Sequence, residues 1–447
     1  MHFSMRRLAR SVTVSALALT ARLVLVRYRP KIVMVTGSVG KTSTKDAVAA
    51  VLGTRFLVRK SEKSFNSEFG VPFTILGVGN PWGNPVAWLT VLRRALALLV
   101  LPNHYPNLLV LEVGADVPGD LAKILMVAKP DCLVVTRLPD IPVHVEFYAS
   151  PEAVREEEFS PAYSLAPGAP LVVSSDDPHA LEMASRVSAR LLTYGVSSNA
   201  VVRLTEVGWY EEGGQVKGMR AVVEAAGERA DVVARGSVGR TQLLPLVAAV
   251  AVARAFDVSL AEAAAALESY EPPAGRGRLF VGVAGSIIID DSYNASPVAV
   301  EEALDTLVSF PMGAPPERGI TPRSLRRGRR IAVLGDMLEL GRYSVMEHER
   351  IGTHAARAAD LLVTVGIRAK GFATAAEAAG MDKSHIFIFD DAGTAAALLP
   401  PHIQKGDIIL VKGSQSIRTE RIVEALLADP ADRTRLVRQE SAWLRRP

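Results

Sequence analysis

The stretch Val35-Thr36-Gly37-Ser38-Val39-Gly40-Lys41-Thr42-Ser43-Thr44 decides how this 447-residue chain is read. It follows the apolar run Lys31-Ile32-Val33-Met34-Val35 and precedes a helical pattern with Val48, Val51 and Leu52 on one side. Strand, glycine loop and helix is the order that a phosphate-binding loop needs. Gly37 and Gly40 let the backbone turn tightly and aim its N–H groups at phosphate oxygens. The N-terminus of the following helix adds partial positive charge. Lys41 has the reach for outer phosphates, and the Thr42 hydroxyl suits Mg²⁺. The loop is shorter than the common form, because Val35 stands where that form has its first glycine. The plainer alternative is an ordinary glycine-rich turn.

Outward from this loop, short apolar runs recur. Residues 108–113, 132–138 and 171–174 suit buried parallel strands, with a helix over 118–127 between the first two. Residues 200–235 alternate apolar and polar around Gly213-Gly214, the pattern of antiparallel strands. Residues 244–267 read as two helices, and Pro272-Pro273 breaks the pattern. Beyond it, runs at 287–289, 331–334, 361–365, 386–389 and 408–411 alternate with helical stretches, which argues a second doubly wound α/β unit. Residues 311–330, rich in Pro, Gly and Arg, read as an exposed loop.

Composition agrees with a globular α/β protein of two or three domains: 49% hydrophobic, 22% charged, 34 Gly. A net charge of +4 does not call for nucleic acid. Arginines cluster at Arg323, Arg326, Arg327, Arg329 and Arg330 and again towards the C-terminus, as solvated surface or a polyanion site. The single Cys132 lies in an apolar run and forms no disulfide framework, which suits a reducing cytoplasm. Near the N-terminus, Arg6, Arg7 and Arg10 precede an apolar run over 11–21, too short to span a bilayer. Residues 1–30 therefore read as an amphipathic helix, lying on the protein or on a membrane surface. Residues 86–101, with Trp88 and Arg93-Arg94 amid Leu and Val, invite the same two readings.

Polar residues collect where strands end, which is where open α/β sheets bind ligands. Glu112 sits in an apolar run and needs a cation or donors, supplied by a Mg²⁺ site or by a structural salt bridge. His144 follows another strand, as a ligand or as a structural residue. Asp290-Asp291-Ser292-Tyr293-Asn294 follows the run 287–289, as ribose or substrate contacts or as a simple turn. Arg276 is suited to a phosphate or carboxylate. Asp336 and Glu339 follow one strand, Lys412 and Ser414 the last. Several strand ends thus carry polar groups to one edge, which argues for a cleft between domains.

Taken in order, these motifs resemble the Mur ligase family. The matching stretches are Thr36-Gly37-Ser38-Val39-Gly40-Lys41-Thr42, Ser64-Phe65-Asn66-Ser67-Glu68-Phe69-Gly70-Val71-Pro72, Leu111-Glu112-Val113-Gly114-Ala115 and His144-Val145-Glu146-Phe147. In the second half they are Gly275-Arg276, Asp290-Asp291-Ser292-Tyr293-Asn294-Ala295, Leu334-Gly335-Asp336-Met337-Leu338-Glu339-Leu340-Gly341 and Val411-Lys412-Gly413-Ser414. The asparagine and aspartate motifs favour the D-alanyl-D-alanine-adding branch over folylpolyglutamate synthases. The resemblance implies a P-loop parallel-sheet ATPase domain over 31–272, followed by a Rossmann-like α/β domain over 273–447. It implies a cytoplasmic, monomeric, ATP- and Mg²⁺-dependent amide ligase of peptidoglycan biosynthesis. Its substrates would be a muramoyl-tripeptide and D-Ala-D-Ala, joined through an acyl phosphate.

By the same resemblance, Gly37, Ser38, Val39, Gly40, Lys41, Thr42 and Ser43 hold the nucleotide phosphates. Thr42, Glu112 and His144 ligate metal. Gln242, Arg276, Asp290 and Asn294 line the nucleotide site, and Asn66, Asp336, Lys412 and Ser414 bind substrate. Lys41, Glu112, His144 and Glu158 form the catalytic set.

Three departures stand out. About 30 residues precede the central domain, so the family's UDP-sugar-binding N-terminal domain is expected to be missing. Glu158 aligns with the family's carbamylated lysine, where it either offers carboxylate oxygens to Mg²⁺ or is a solvated helix residue in the run 156–158. Thr241-Gln242 replaces the His-Asn pair near the adenine, and Gln242 retains hydrogen-bonding capacity towards the base. Two further readings keep part of the resemblance: a ligase acting on a lipid-linked precursor or partnered with an amidotransferase, and a non-catalytic nucleotide-binding scaffold.

Overall fold

The computed structural model describes residues 2–62, 65–81, 84–312, 328–440 and 443, with the side chains of 2–11 left aside. Its first sheet contains β1 (Lys31–Thr36), β2 (Val58–Lys60), β3 (Leu108–Glu112), β4 (Cys132–Val135), β5 (Pro170–Ser174), β6 (Arg190–Gly195), β7 (Val202–Glu212), β8 (Gln215–Ala225) and β9 (Glu228–Arg235). They run in the order β2-β3-β1-β4-β5-β6-β7-β8-β9. Pairings from β2 to β7 are parallel, and β7, β8 and β9 are antiparallel. The second sheet contains β10 (Arg278–Val281), β11 (Ile287–Asp291), β12 (Arg330–Gly335), β13 (Leu361–Val365), β14 (Ile386–Phe389) and β15 (Ile408–Lys412), ordered β10-β11-β15-β12-β13-β14. Only β10 pairs antiparallel there.

The apolar runs at 31–35, 108–113, 171–174 and in the second half coincide with these strands, the run 132–138 does so as far as Val135, and 200–235 forms the antiparallel part. The short edge strand β2, and β6 and β10, carry a weaker apolar signal, because one or both of their faces are partly exposed. The expected loop over 311–330 lies largely outside the described residues, as do Ser64 of the second motif and Arg323, Arg326 and Arg327.

Period-2 alternation explains why continuous apolar runs are needed. Val33, Val35, Val110 and Val134 enter one core layer, while Met34, Leu109, Leu111 and Leu133 enter the layer on the opposite face. The first layer contains α2 (Lys41–Leu52) and the helix Leu244–Ala255. It continues into Ile289, Ala332 and Leu410, so the two sheets share it. Alternate residues Ile288, Val333 and Val411 face a third layer beneath the helices Ala392–Leu398 and Glu420–Leu426.

The opposite face of the first sheet is covered by α1 (His2–Tyr28), α3 (Gly70–Leu76) and α4 (Pro85–Val100). Leu17, Ala21 and Val24 of α1 and Val91, Ala95 and Leu98 of α4 enter the same core as Phe73 of α3. Asn84 caps α4 by accepting from the N–H groups of Val86 and Ala87, and Pro85 occupies the first turn. Leu98 is fully buried. We expect Leu98→Ala to lower unfolding free energy by about 2–5 kcal/mol in denaturant titrations, as truncation of a buried leucine leaves a cavity.

Candidate active site

The loop after β1 is shaped by what surrounds it. Gly37 has φ +113°, and a Cβ there would stand 2.4 Å from Thr136 Oγ1 and 3.0 Å from the Arg137 backbone nitrogen. Glycine is therefore required both by conformation and by space. Gly40, at φ +88°, precedes α2 with no side-chain cap, leaving the first N–H groups of the helix for a ligand.

Two buried carboxylates, Glu158 and Glu112, converge on this loop. The Thr36 hydroxyl donates to Glu158 Oε2 at 2.7 Å, and the Gly37 N–H donates to the same oxygen at 3.2 Å. Lys41 Nζ donates to the Gly37 carbonyl and stands 3.8 Å from Glu158 Oε1. The Thr42 hydroxyl donates to Glu112 Oε1 at 3.1 Å. Burial pushes the Glu112 carboxyl above its usual range, opposed by Lys45, Lys41 and the Thr42 hydrogen bond.

Glu158 is thus not a solvated helix residue. Its helix, Pro151–Phe159, is capped by Ser150 and buries Pro151, Val154, Arg155, Glu158 and Phe159 on one face. Glu157, next to it, accepts from the N–H groups of Gly119 and Leu121, whereas Glu156 reaches outward to Tyr163. Helical phase separates the three carboxylates. Sequence reasoning missed Lys45, which is buried and lies 3.7 Å from Glu112 Oε2. Its position, four residues after Lys41 on the same helix, was the available signal. Asn66 lies beside Lys41: a Cβ on Gly114 would meet Asn66 Nδ2 at 3.2 Å and Lys41 Cε at 3.3 Å.

One cavity adjoins the loop, and a second is lined by other residues of both halves of the chain. The first, about 660 Å³, is lined by Val39, Gly40 and Ser43 on one side and by Arg276, Asp291 and Lys412 on the other. Gln242 also lines it, and its buried Oε1 has no hydrogen-bond partner. Arg276 lies over the Tyr293 ring, 4.0 Å from its centroid. Arg137 and Glu302 pair at this cavity's wall. The second cavity, about 790 Å³, is lined by Asp116, His144, Asn294, Glu339 and Ser414.

Several of the residues singled out in the sequence have partners of their own in this structure. His144 lines the second cavity with Glu339 and Asp116. Its Nδ1 is 2.8 Å from Glu339 Oε2 and its Nε2 is 3.7 Å from Asp116 Oδ1. His144 and Glu339 both have positive φ, 66° and 63°, in loops that meet where the Glu146 N–H donates to the Glu339 carbonyl. Among the described residues, no three His, Cys, Asp or Glu side chains converge as a metal site.

Asp290 is fully buried and accepts from the Ser292 N–H at 3.1 Å, so Asp291 rather than Asp290 faces the first cavity. The two neighbours alternate faces, as β11 requires. Lys412, expected on the substrate side, faces the first cavity and donates to Asp291 at 2.6 Å. Asn294, expected on the nucleotide side, faces the second. Asp336 lines neither cavity: its Oδ1 accepts from the Ala369 N–H at 2.7 Å.

Comparison with known proteins gives two family matches along the chain. The description "Mur ligase middle domain" matches residues 35–253, and "Mur ligase, glutamate ligase domain" matches 275–415. The chain belongs to the Mur ligase family. A UDP-N-acetylmuramoyl-tripeptide–D-alanyl-D-alanine ligase of Bacillus subtilis is 27% identical over 94% of this chain and 80% of its own length. The corresponding protein of Mycobacterium tuberculosis strain H37Rv is 30% identical over 89% of this chain and 73% of its own. The MurF ligase of Thermotoga maritima, solved in complex with ADP, superposes with a TM-score of 0.72 at 27% identity, covering 92% of this chain and 83% of that one.

Within this Mur ligase framework, Asp290 is a burdened residue. Burial raises its carboxyl from 3.8 to about 6. A group raised in the folded state destabilises that state when ionised, and the penalty is relieved as pH falls from 7 through about 6 towards 4. We expect Asp290→Asn to remove a pH-dependent penalty on the order of 3 kcal/mol at neutral pH, with little difference from wild type near pH 4, as read from urea midpoints.

Proposed function

We propose that this Mur ligase joins D-alanyl-D-alanine to a muramoyl-tripeptide, using ATP and Mg²⁺. The observation that carries the reading is the convergence of Lys41, Thr42, Glu112 and Glu158 on one glycine loop that opens into a cavity walled by both sheets. The relatives' names supply the substrates, and the ADP complex of the Thermotoga protein supports a nucleotide at the loop. Residues 31–272 and 273–447 serve as the two working units, with the nucleotide between them.

In this reading a carboxylate oxygen of the tripeptide takes the terminal phosphoryl group of ATP, and ADP leaves. The dipeptide amine then attacks the acyl carbon, loses a proton and expels phosphate, forming the amide. Loop N–H groups and Lys41 bind and orient the phosphates where negative charge builds up. Arg276 approaches the nucleotide from the second sheet, and Gln242 Oε1 accepts from an amino group of the base. Asn294, Ser414, Glu339 and Asp116 surround the acceptor side, where the two acids suit an incoming ammonium group.

The residues fit Mg²⁺ at Thr42 and Glu112, because Glu112 Oε2 is buried without a hydrogen-bond partner beside the Thr42 hydroxyl. Bound there, the ion would offset phosphate charge. Glu158 places its carboxylate at the same loop, the position at which the resemblance expects an anionic group.

The test is phosphate release from ATP with Mg²⁺, UDP-muramoyl-tripeptide and D-Ala-D-Ala. Release requiring both acceptor substrates, with a product heavier by the dipeptide, supports the reading. Release independent of either substrate overturns it. We expect Lys41→Ala to lower turnover by at least about a hundredfold while the protein still unfolds cooperatively in denaturant, since it removes a charge aimed at the transferring group. Glu158→Ala should shift the Mg²⁺ dependence of turnover to higher concentration, and an unchanged titration would remove Glu158 from the metal's surroundings.

A further inference from the structure

Helices α1 and α4 are apolar on both sides. Their inner faces fill the core, yet Leu19, Leu23 and Val26 of α1 are 47–62% exposed, and Leu89, Leu92 and Leu96 of α4 are 56–65% exposed. Spacings of three and four residues place each set in one stripe along its helix. The two helices are joined at their C-terminal ends. Tyr28 donates its hydroxyl to the Leu98 carbonyl at 2.9 Å, and Arg27 donates to the Leu101 carbonyl at 3.1 Å. Stripes this extensive exceed the scattered apolar residues of an ordinary surface and mark a contact surface.

Charge decides which contact. Residues 1–45 and 69–111, which contain both helices, hold no Asp or Glu. Arg22, Arg27, Arg29 and Arg93 are exposed among the leucines. A twofold pairing of two copies through this face would set arginine against arginine with no acid to answer it. A bilayer surface provides the complement: headgroup phosphates for the arginines and the acyl boundary for the leucines. No helix among the described residues is long and apolar enough to cross a membrane, so the contact is interfacial.

We propose that the outer faces of α1 and α4 dock the protein on an anionic lipid bilayer. The core layer beneath them lies on the opposite side of the first sheet from the layer containing α2, whose residues line the first cavity. Docking therefore leaves that cavity accessible.

Co-sedimentation of the full chain with vesicles tests this. We expect at least about tenfold more protein on equimolar phosphatidylglycerol–phosphatidylcholine vesicles than on phosphatidylcholine alone, with the excess falling as salt is raised. Leu89→Ser, Leu92→Ser and Leu96→Ser together should lower binding at least about tenfold, while the unfolding midpoint and solution turnover stay unchanged, because these positions are exposed. The pair Arg22→Ala and Arg93→Ala should lower the preference for the anionic vesicles at least about threefold. Absence of vesicle binding, or equal binding by wild type and the leucine variant, overturns the proposal. A wild-type dimer in sedimentation velocity that the leucine variant dissolves, with no vesicle binding, assigns the face to a second copy and equally overturns it.

Discussion

Two carboxylates, Glu112 and Glu158, are almost completely removed from water within reach of one glycine loop, and the architecture around the loop answers that cost. Burying an ionised carboxylate costs several kcal/mol unless charges and donors replace its water. Lys41, Lys45, Thr36, Thr42 and the Gly37 N–H are those replacements. Each comes from the end of β1 or the first turns of α2. The loop conformation and the buried acids therefore depend on each other. Displacing either leaves an unanswered charge in the middle of the sheet.

That dependence explains the neighbouring constraints. The loop fits between β1 and the chain after β4 only because Gly37 lacks a Cβ. The helix that carries Glu158 must present one particular phase to the loop, so Glu156 and Glu157 are left for other tasks. Across the cavity, the second sheet contributes through alternation along β11 and β15. Asp291 and Lys412 reach the cavity while Asp290 is held inside. Polar contacts between the units at the cavities include Arg137 with Glu302 and His144 with Glu339. Such pairs are re-formed with a charged ligand more readily than an apolar layer is repacked.

The outward leucines of α1 and α4 follow a different logic. They contribute nothing to the core that their inner faces have not already supplied, and exposure to water is unfavourable. Their presence together with arginines, and without a single acid, is a feature of surface chemistry rather than of folding.

Sequence alone determined most of the buried strands and the loop. Continuous apolar runs bounded by turn residues suffice to place buried strands, because a strand covered on both faces has no polar position. The glycine spacing and Lys41-Thr42 sufficed for the phosphate loop, because backbone geometry there is local. The ordered motifs carried the family. What only tertiary structure decided is which polar residue meets which. The sequence placed Asp290, Asn294, Asp336, Lys412 and His144 at strand ends, but direction at a strand end turns on register and on packing across the sheet. A one-residue change reverses the face, as Asp290 and Asp291 show. His144 depends on a loop from the far unit that supplies Glu339, a contact spanning nearly 200 residues that no local pattern encodes.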